Sequence, residues 1–221
     1  MNYCGDECRR IEKIAEIYAE SYREYYDKNK MNVVSTEYGF GGKLLHRGYY
    51  CPSLVIDVIN GNVRRGKRIK KISQITPDFV YGFDVEGRLV TVDRTFNHEI
   101  IISQGLCEIG ITFSNIGGIE MISECAYDMA GRIELYGCYL YNAFEKQVYD
   151  FQKEEYVYKE NQMIVDRTQF NKSLKKMGES IHERYAFEIE NSYLKNYRVE
   201  CCDKQNIRDE KVYSVSLKRR I

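Results

Sequence analysis

From Val33 onward the chain is written in short β-type runs, each bounded by glycine, asparagine or aspartate, and this punctuation confines it to antiparallel hairpins. Leu54, Ile56 and Val58 alternate before Asn60-Gly61-Asn62, a strong two-residue turn signal. Val80 to Phe83 and Arg88 to Val92 flank a turn at Asp84 to Gly87, and Ile109 to Phe113 and Ile119 to Ile122 flank Asn115 to Gly118. Ile133 to Leu140 and Val148 to Val157 continue the pattern. With only Pro52 and Pro77 to interrupt it, the chain relies on Gly, Asn and Asp for its turns.

The N-terminal segment obeys a different period. Ile11, Ile14, Ala15, Tyr18, Tyr22 and Tyr25 form one apolar stripe of helical spacing, with charged residues on the remaining surface. Asp6 fits an N-cap, and the helix is expected to end between Asp27 and Lys30. Such a stripe packs on a sheet.

The hairpin region also repeats itself. YGFDVEGRLVTVDRTFN from Tyr81 realigns on YVYKENQMIVDRTQFN from Tyr156, and both contain Val-Asp-Arg-Thr, at Val92 to Thr95 and Val165 to Thr168. Phe113 then pairs with Phe187, and Glu124-Cys125 with Glu200-Cys201. Three blocks in one order predict a tandem unit of roughly 75 residues, spanning 79–150 and 151–221. Residues 1–30 supply the helix. Residues 31–78 form a hairpin segment in which Tyr38 to Leu45 reads as a truncated first copy. The copies diverge at Asn171 to Glu183, where Leu174, Met177 and Ile181 suggest a short second helix. The expected fold is mainly β, an antiparallel meander of hairpins in two tandem repeats, packed as one compact domain with the N-terminal amphipathic helix.

Within the repeat, Tyr81-Gly82-Phe83-Asp84-Val85-Glu86-Gly87-Arg88-Leu89 and Tyr127-Asp128-Met129-Ala130-Gly131-Arg132-Ile133 resemble the YD-repeat, or rearrangement-hot-spot, pattern. The Asp caps such a turn, the Gly accepts a positive φ, and the flanking apolar residues pack across the strands. YD-repeat chains are similar in pattern to the shells of bacterial polymorphic toxins. Small hairpin-rich chains of this size look like the cognate immunity proteins. What the resemblance implies is a context of toxin neutralisation.

The chemistry of catalysis leaves little trace. His46, His98 and His182 lie far apart beside polar residues and read as exposed or turn histidines. No phosphate-loop, zinc-protease or nucleophile-elbow motif occurs, and Gly41-Gly42 and Gly117-Gly118 read as hairpin turns. Cys4 and Cys8 share a helical spacing and Cys201-Cys202 are adjacent, but without Cys-x-x-Cys the eight cysteines read as reduced thiols, with no metal and no cofactor expected.

Charge narrows the partners. Lys+Arg and Asp+Glu balance at 33 each, so no global field favours nucleic acid or an anionic membrane. No window reaches the ~18 apolar residues of a membrane span. Without an apolar run after its first charges the N-terminus is not read as a signal peptide, and the chain is expected in a cytoplasm. Locally, Arg64 to Lys71 is strongly basic, either a contact for nucleic acid or an acidic partner, or a hairpin whose cations protect an edge strand. Glu124 to Glu160 is acidic, and within it Tyr149, Asp150, Glu154, Glu155, Tyr156 and Tyr158 join carboxylates to tyrosine. That mixture suits a surface that blocks a basic cleft, tyrosine adding contact area at low entropic cost. Its other reading is the polar face of an ordinary strand pair.

The expected function is a non-enzymatic protein-binding module, an immunity protein that covers the active site of a cognate toxin domain. A structural YD-like scaffold and a nucleic-acid-associated protein using residues 64–71 are the alternatives.

Overall fold

The computed structural model describes residues 3–42, 46–56, 66–69, 76–171, 180–191, 193–201 and 206–216. Two helices, α1 (Tyr3–Ala19) and α2 (Tyr22–Met31), precede thirteen strands. These are β1 (Ser35–Phe40), β2 (Lys67–Ile69), β3 (Phe79–Phe83), β4 (Leu89–Arg94), β5 (Asn97–Gln104), β6 (Cys107–Ser114) and β7 (Ile119–Tyr127). They continue through β8 (Ile133–Asn142), β9 (Gln147–Lys159), β10 (Gln162–Asn171), β11 (Ile181–Glu190), β12 (Tyr193–Cys201) and β13 (Asn206–Ser216). All pair antiparallel in one sheet, where β3 to β13 lie in chain order and β1 then β2 complete the side beyond β3. The chain is therefore mainly β, an antiparallel meander with an N-terminal helical pair.

The apolar stripe does what its spacing predicts. Ile11 and Ala15 are fully buried, and Ile14, Tyr18, Tyr22 and Tyr25 pack with them on Ile100, Ile111, Phe113, Ile122, Tyr139 and Phe151. The helix differs from expectation in breaking at Glu20-Ser21, which lets the apolar stripe follow a twisted sheet. Beyond the break Tyr22 stacks on Phe113 at 5.1 Å, and the Tyr26 hydroxyl donates to Asp93 at 3.0 Å. Asp6 lies inside the first turn of α1 rather than at its cap, a position its charge still favours.

The opposite face is crossed by residues 46–56, a strap containing one 3-10 turn at Gly48–Tyr50. The alternation of Leu54 and Ile56 predicts a strand here. Instead Leu54, Val55 and Ile56 are all buried in succession, and the Ser53 hydroxyl accepts the Ile56 N–H at 3.0 Å. A segment laid across a sheet buries consecutive residues, whereas a half-buried strand shows every second one. Val58 and the Asn60-Gly61-Asn62 turn lie outside the described residues. Leu54 and Val55 join Met121, Tyr136, Tyr156, Val165, Phe187 and Tyr197 in the largest apolar cluster. The expected helix near 171–183 also falls mostly outside the described residues, while β11 already holds Ile181 to Glu183.

The sequence repeat has a clear local basis and a limit. Tyr81 faces Val92 across β3–β4, and Tyr156 faces Val165 across β9–β10, so the first blocks are the same hairpin. In each Val-Asp-Arg-Thr run the buried Arg reaches a carboxylate on the next strand. Arg94 meets Glu99 at 2.5 Å, and Arg167 meets Glu183 at 2.7 Å. Each Asp points to the other face and meets the next strand's basic residue, His98 at 3.0 Å and Arg184 at 2.6 Å. In space β11 thus stands where β5 stands, although Phe187 on β11 aligns in sequence with Phe113 on β6. Two strands that flank β5 correspond to two that pair directly, so the two segments are not equivalent structural units.

Candidate functional site

The polar groups brought together inside the molecule hold the strap. Arg47 enters it with φ 59°, and its buried guanidinium reaches Glu99 at 2.7 Å, Ser123 at 3.0 Å and Glu108 at 3.5 Å. Burial opposes both charges. Arg47 and Arg94 nonetheless hold the Glu99 carboxyl below its usual range, and Glu99 with its neighbours raises Arg47. Further along, the Ser53 hydroxyl lies 2.7 and 2.9 Å from the two oxygens of Glu154, which Tyr156 and Gln152 also contact. Burial raises the Glu154 carboxyl, only partly countered by those hydrogen bonds. His46 Nδ1 lies 2.7 Å from the Tyr136 hydroxyl. Cys51, Cys125 and Cys138 are buried nearby, with burial pushing the Cys138 thiol up to about 12, outside the range of a reactive thiolate. Among the described residues no group of three or more His, Cys, Asp or Glu could hold a metal ion. Cys202 and the side chains of Cys4 and Cys201 lie outside the description.

The six acid and tyrosine residues do not gather into one surface. Glu154 and Tyr156 are buried under the strap, and Tyr156 accepts the Leu54 N–H at 3.1 Å. Tyr158 is half-buried against the same cluster, with the Arg132 guanidinium 4.5 Å over its ring. Glu155 is exposed and pairs at 3.3 Å with Lys153, which also meets Glu7 of α1 at 3.4 Å. Tyr149 and Asp150 are half-buried. Period two sends alternate residues of β9 to opposite faces, which separates a run that is contiguous in sequence. Of the basic stretch, Lys67 and Arg68 lie exposed on β2, the outermost strand, with Arg68 2.9 Å from Glu37. Arg64, Arg65, Lys70 and Lys71 lie outside the described residues. No helix among the described residues is long and apolar enough to cross a membrane.

What the meander does present outward is the apices of its hairpins. Alternate turns lie at the same end of an antiparallel sheet. At one end Val85, Leu106 and Met129 sit on the β3–β4, β5–β6 and β7–β8 turns, and Met129 is 91% exposed. At the other, Phe96, Ile116 and Phe144 sit on the β4–β5, β6–β7 and β8–β9 turns, at 75%, 96% and full exposure. Exposed large apolar side chains at successive apices, from Leu106 at 44% to Phe144 in full, mark a contact surface rather than a core.

The ends are built differently. Asp84 accepts the N–H groups of Glu86 at 3.0 Å and Arg88 at 2.8 Å and the Arg88 side chain at 2.8 Å. Asp128 accepts those of Ala130 at 2.9 Å, Arg132 at 2.8 Å and the Arg132 side chain at 2.7 Å. Gly87 and Gly131 take φ of 75° and 74° in these two clasps, the αL position that excludes a Cβ at low cost. At the other end the bonds run within and between turns without charge. Asn115 N–H donates to the Phe96 carbonyl at 3.1 Å and its side chain to the Thr95 carbonyl at 2.8 Å. Ser114 closes its own turn on the Gly117 carbonyl at 2.6 Å, and Asn142 accepts the N–H groups of Phe144 at 3.0 Å and Glu145 at 3.1 Å. Sequence reasoning locates these turns but misses the apices. The available signal is a large apolar residue inside each polar turn, where a solvated loop would place a polar one.

Compared with protein-family models, with curated proteins and with solved structures, the chain matches none.

Proposed function

We propose that this chain is a non-enzymatic protein-binding module, and that it serves as a cytoplasmic immunity protein covering the active site of a bacterial toxin domain. The observation that carries the binding reading is the exposure of large apolar side chains on six successive hairpin apices. Exposed apolar side chains stabilise an interface when a partner removes them from water, each by about 1.5–3 kcal/mol. The acidic and tyrosine residues of β9 act in this reading mainly as the framework behind the tips, with Glu155 left outward. The toxin context rests on the YD-like turns at Asp84 to Arg88 and Asp128 to Arg132, whose shared clasp supports the resemblance at the level of the hairpin.

The test is inspection of the gene's neighbourhood for a secreted protein with a C-terminal toxin domain, followed by co-expression with that domain. An isolated gene would count against the immunity reading. Restored growth and a stable complex of the purified proteins are expected. A toxin domain that neither binds this chain nor is neutralised by it would overturn the immunity reading.

The same clasps favour a second reading, a YD-like scaffold around a partner chain. It differs in predicting that a partner contacts the broad sheet face instead of the hairpin apices.

A further inference from the structure

We infer that the uncharged end of the sheet, carrying Phe96, Ile116 and Phe144, is the docking edge, and that its occupant is a different folded protein presenting an apolar, weakly charged groove. This rests on the protein-binding reading above and specifies which surface binds and what chemistry it meets.

Four observations lead to it. First, strands lie about 4.8 Å apart, so alternate apices stand about 10 Å apart and three of them form a row about 20 Å long. Second, two of the three turns are tied together before any partner arrives, and Asn142 closes the third on itself. The β4–β5 and β6–β7 turns are bonded to each other through Asn115, and Asn97 Nδ2 reaches Glu120 at 3.2 Å across the same gap. Tyr22 of α2 backs the β6–β7 turn, its hydroxyl 3.0 Å from where a Cβ on Gly117 would lie. A surface already ordered loses less entropy on binding.

Third, charge complementarity selects the partner. The residues of these three turns, Thr95-Phe96, Asn115 to Gly118 and Ala143 to Lys146, bear only the adjacent opposite charges of Glu145 and Lys146. Glu145 and Lys146 offset each other, and the Glu120 carboxylate behind the turns is bonded to Asn97. A basic nuclease cleft or an anionic headgroup layer therefore finds little excess charge at these apices, whereas an apolar protein groove finds matching apolar side chains. The clasped end differs, because each of Val85 and Met129 is flanked by an Asp and an Arg. Fourth, area separates a foreign partner from a second copy. Two phenylalanines and an isoleucine bury on the order of 500 Å². With their turns they approach the ~800 Å² per partner of an ordinary heteromeric interface, short of a permanent homodimer.

The experiment measures binding of the full chain to the purified toxin domain that inspection of its gene neighbourhood identifies, using two triple variants. One carries Phe96→Ser, Ile116→Ser and Phe144→Ser; the other carries Val85→Ser, Leu106→Ser and Met129→Ser. Thermal unfolding of each confirms the fold, which exposed side chains should scarcely affect. The first variant is expected to lose about 100-fold or more in affinity and the second no more than about threefold. Equal losses, or a larger loss from the second, would overturn the inference. So would flotation of the chain with neutral phosphatidylcholine vesicles, or self-association in sedimentation that the first variant abolishes.

If no such domain is encoded there, or the wild-type chain does not bind it, the immunity reading fails by itself. Benzophenone photo-crosslinkers at 96, 116 and 144, and at 85 and 129, then decide the docking edge in the cells that make the chain. One identified protein joined from all three positions of the first set, whose purified form binds wild type and not the first variant, supports it. Crosslinks from the second set alone, or from neither, contradict it.

Discussion

The two ends of the sheet solve the same problem with different chemistry. Both must close hairpins, and from β3 to β9 both leave a large apolar residue at each apex. The end with Val85 and Met129 closes its β3–β4 and β7–β8 turns with an Asp that gathers two N–H groups and an arginine. The end with Phe96, Ile116 and Phe144 closes its turns with amides, a hydroxyl and carbonyls, and Asn115 links the β4–β5 turn to the β6–β7 turn. A charged clasp makes a turn self-sufficient. An uncharged, interlinked set of turns makes a continuous edge whose exposed chemistry is almost wholly apolar.

The largest effect should come from the scaffold both ends share. Glu99→Ala removes the carboxylate bonded to both buried Arg47 and Arg94 and leaves Arg47 the longer contact to Glu108 at 3.5 Å, so a loss of about 3–5 kcal/mol is expected in denaturant unfolding. Both ends should lose amide protection together. Unfolding of one end alone would mean that the buried pair supports only its own neighbourhood.

Acid should separate the ends. The N–H groups and side chain of Arg88 hold the Asp84 carboxyl below its usual value, overcoming the burial that opposes them. The backbone of Arg132, and then its side chain, lower Asp128 in the same direction. A carboxyl lowered in the fold contributes stability that is present above its unfolded value of about 3.9 and is lost as pH falls through the lower folded value. The Gly87 and Gly131 amides should therefore lose hydrogen-exchange protection as pH falls below the unfolded carboxyl value of about 3.9, relative to the Gly117 amide. Glu154 works with the opposite sign. Burial raises its carboxyl, so its contribution grows more favourable as pH falls through that raised value, and Glu154→Gln should flatten this part of the profile. Equal acid sensitivity at all three glycines would remove the distinction between the ends.

The smallest effect is a reciprocal exchange at the left-handed positions. Lys146 holds φ 52° in the uncharged β8–β9 turn, and Gly131 holds 74° in a clasp. Lys146→Gly should stabilise the chain by about 0.5 kcal/mol, and Gly131→Lys should destabilise it by about 1 kcal/mol. Like signs for the two would show that the turns are not governed by backbone conformation.

Much of this architecture is legible in the residues because it is local. Hairpin turns are fixed by Asp, Asn and Gly within a few positions, and the stripe from Ile11 to Tyr25 is fixed by helical period. The Val-Asp-Arg-Thr repeat is legible as text, but its meaning is a cross-strand pairing of Arg94 with Glu99 and Arg167 with Glu183. Which strand supplies the carboxylate depends on neighbours in space, so counting residues places β11 against β6 when it stands in the position of β5. The strap was hidden for a similar reason. Leu54 and Ile56 alternate like a strand, and only contact with β7–β12 makes Val55 between them the most deeply buried of the three. Glu154 and Tyr156 stand beside Glu155 in sequence but face the other side of the sheet, a separation that depends on which face the strap covers.

The most direct test of the difference between the ends is hydrogen exchange on the full chain before and after adding the protein partner identified from its gene neighbourhood or by crosslinking. Amides at 95–97, 115–118 and 143–146 should slow together on complex formation, while those at 84–88, 105–106 and 128–132 stay unchanged. Slowing confined to the second set, or spread over a sheet face with both sets unaffected, would contradict the assignment of binding to the uncharged edge.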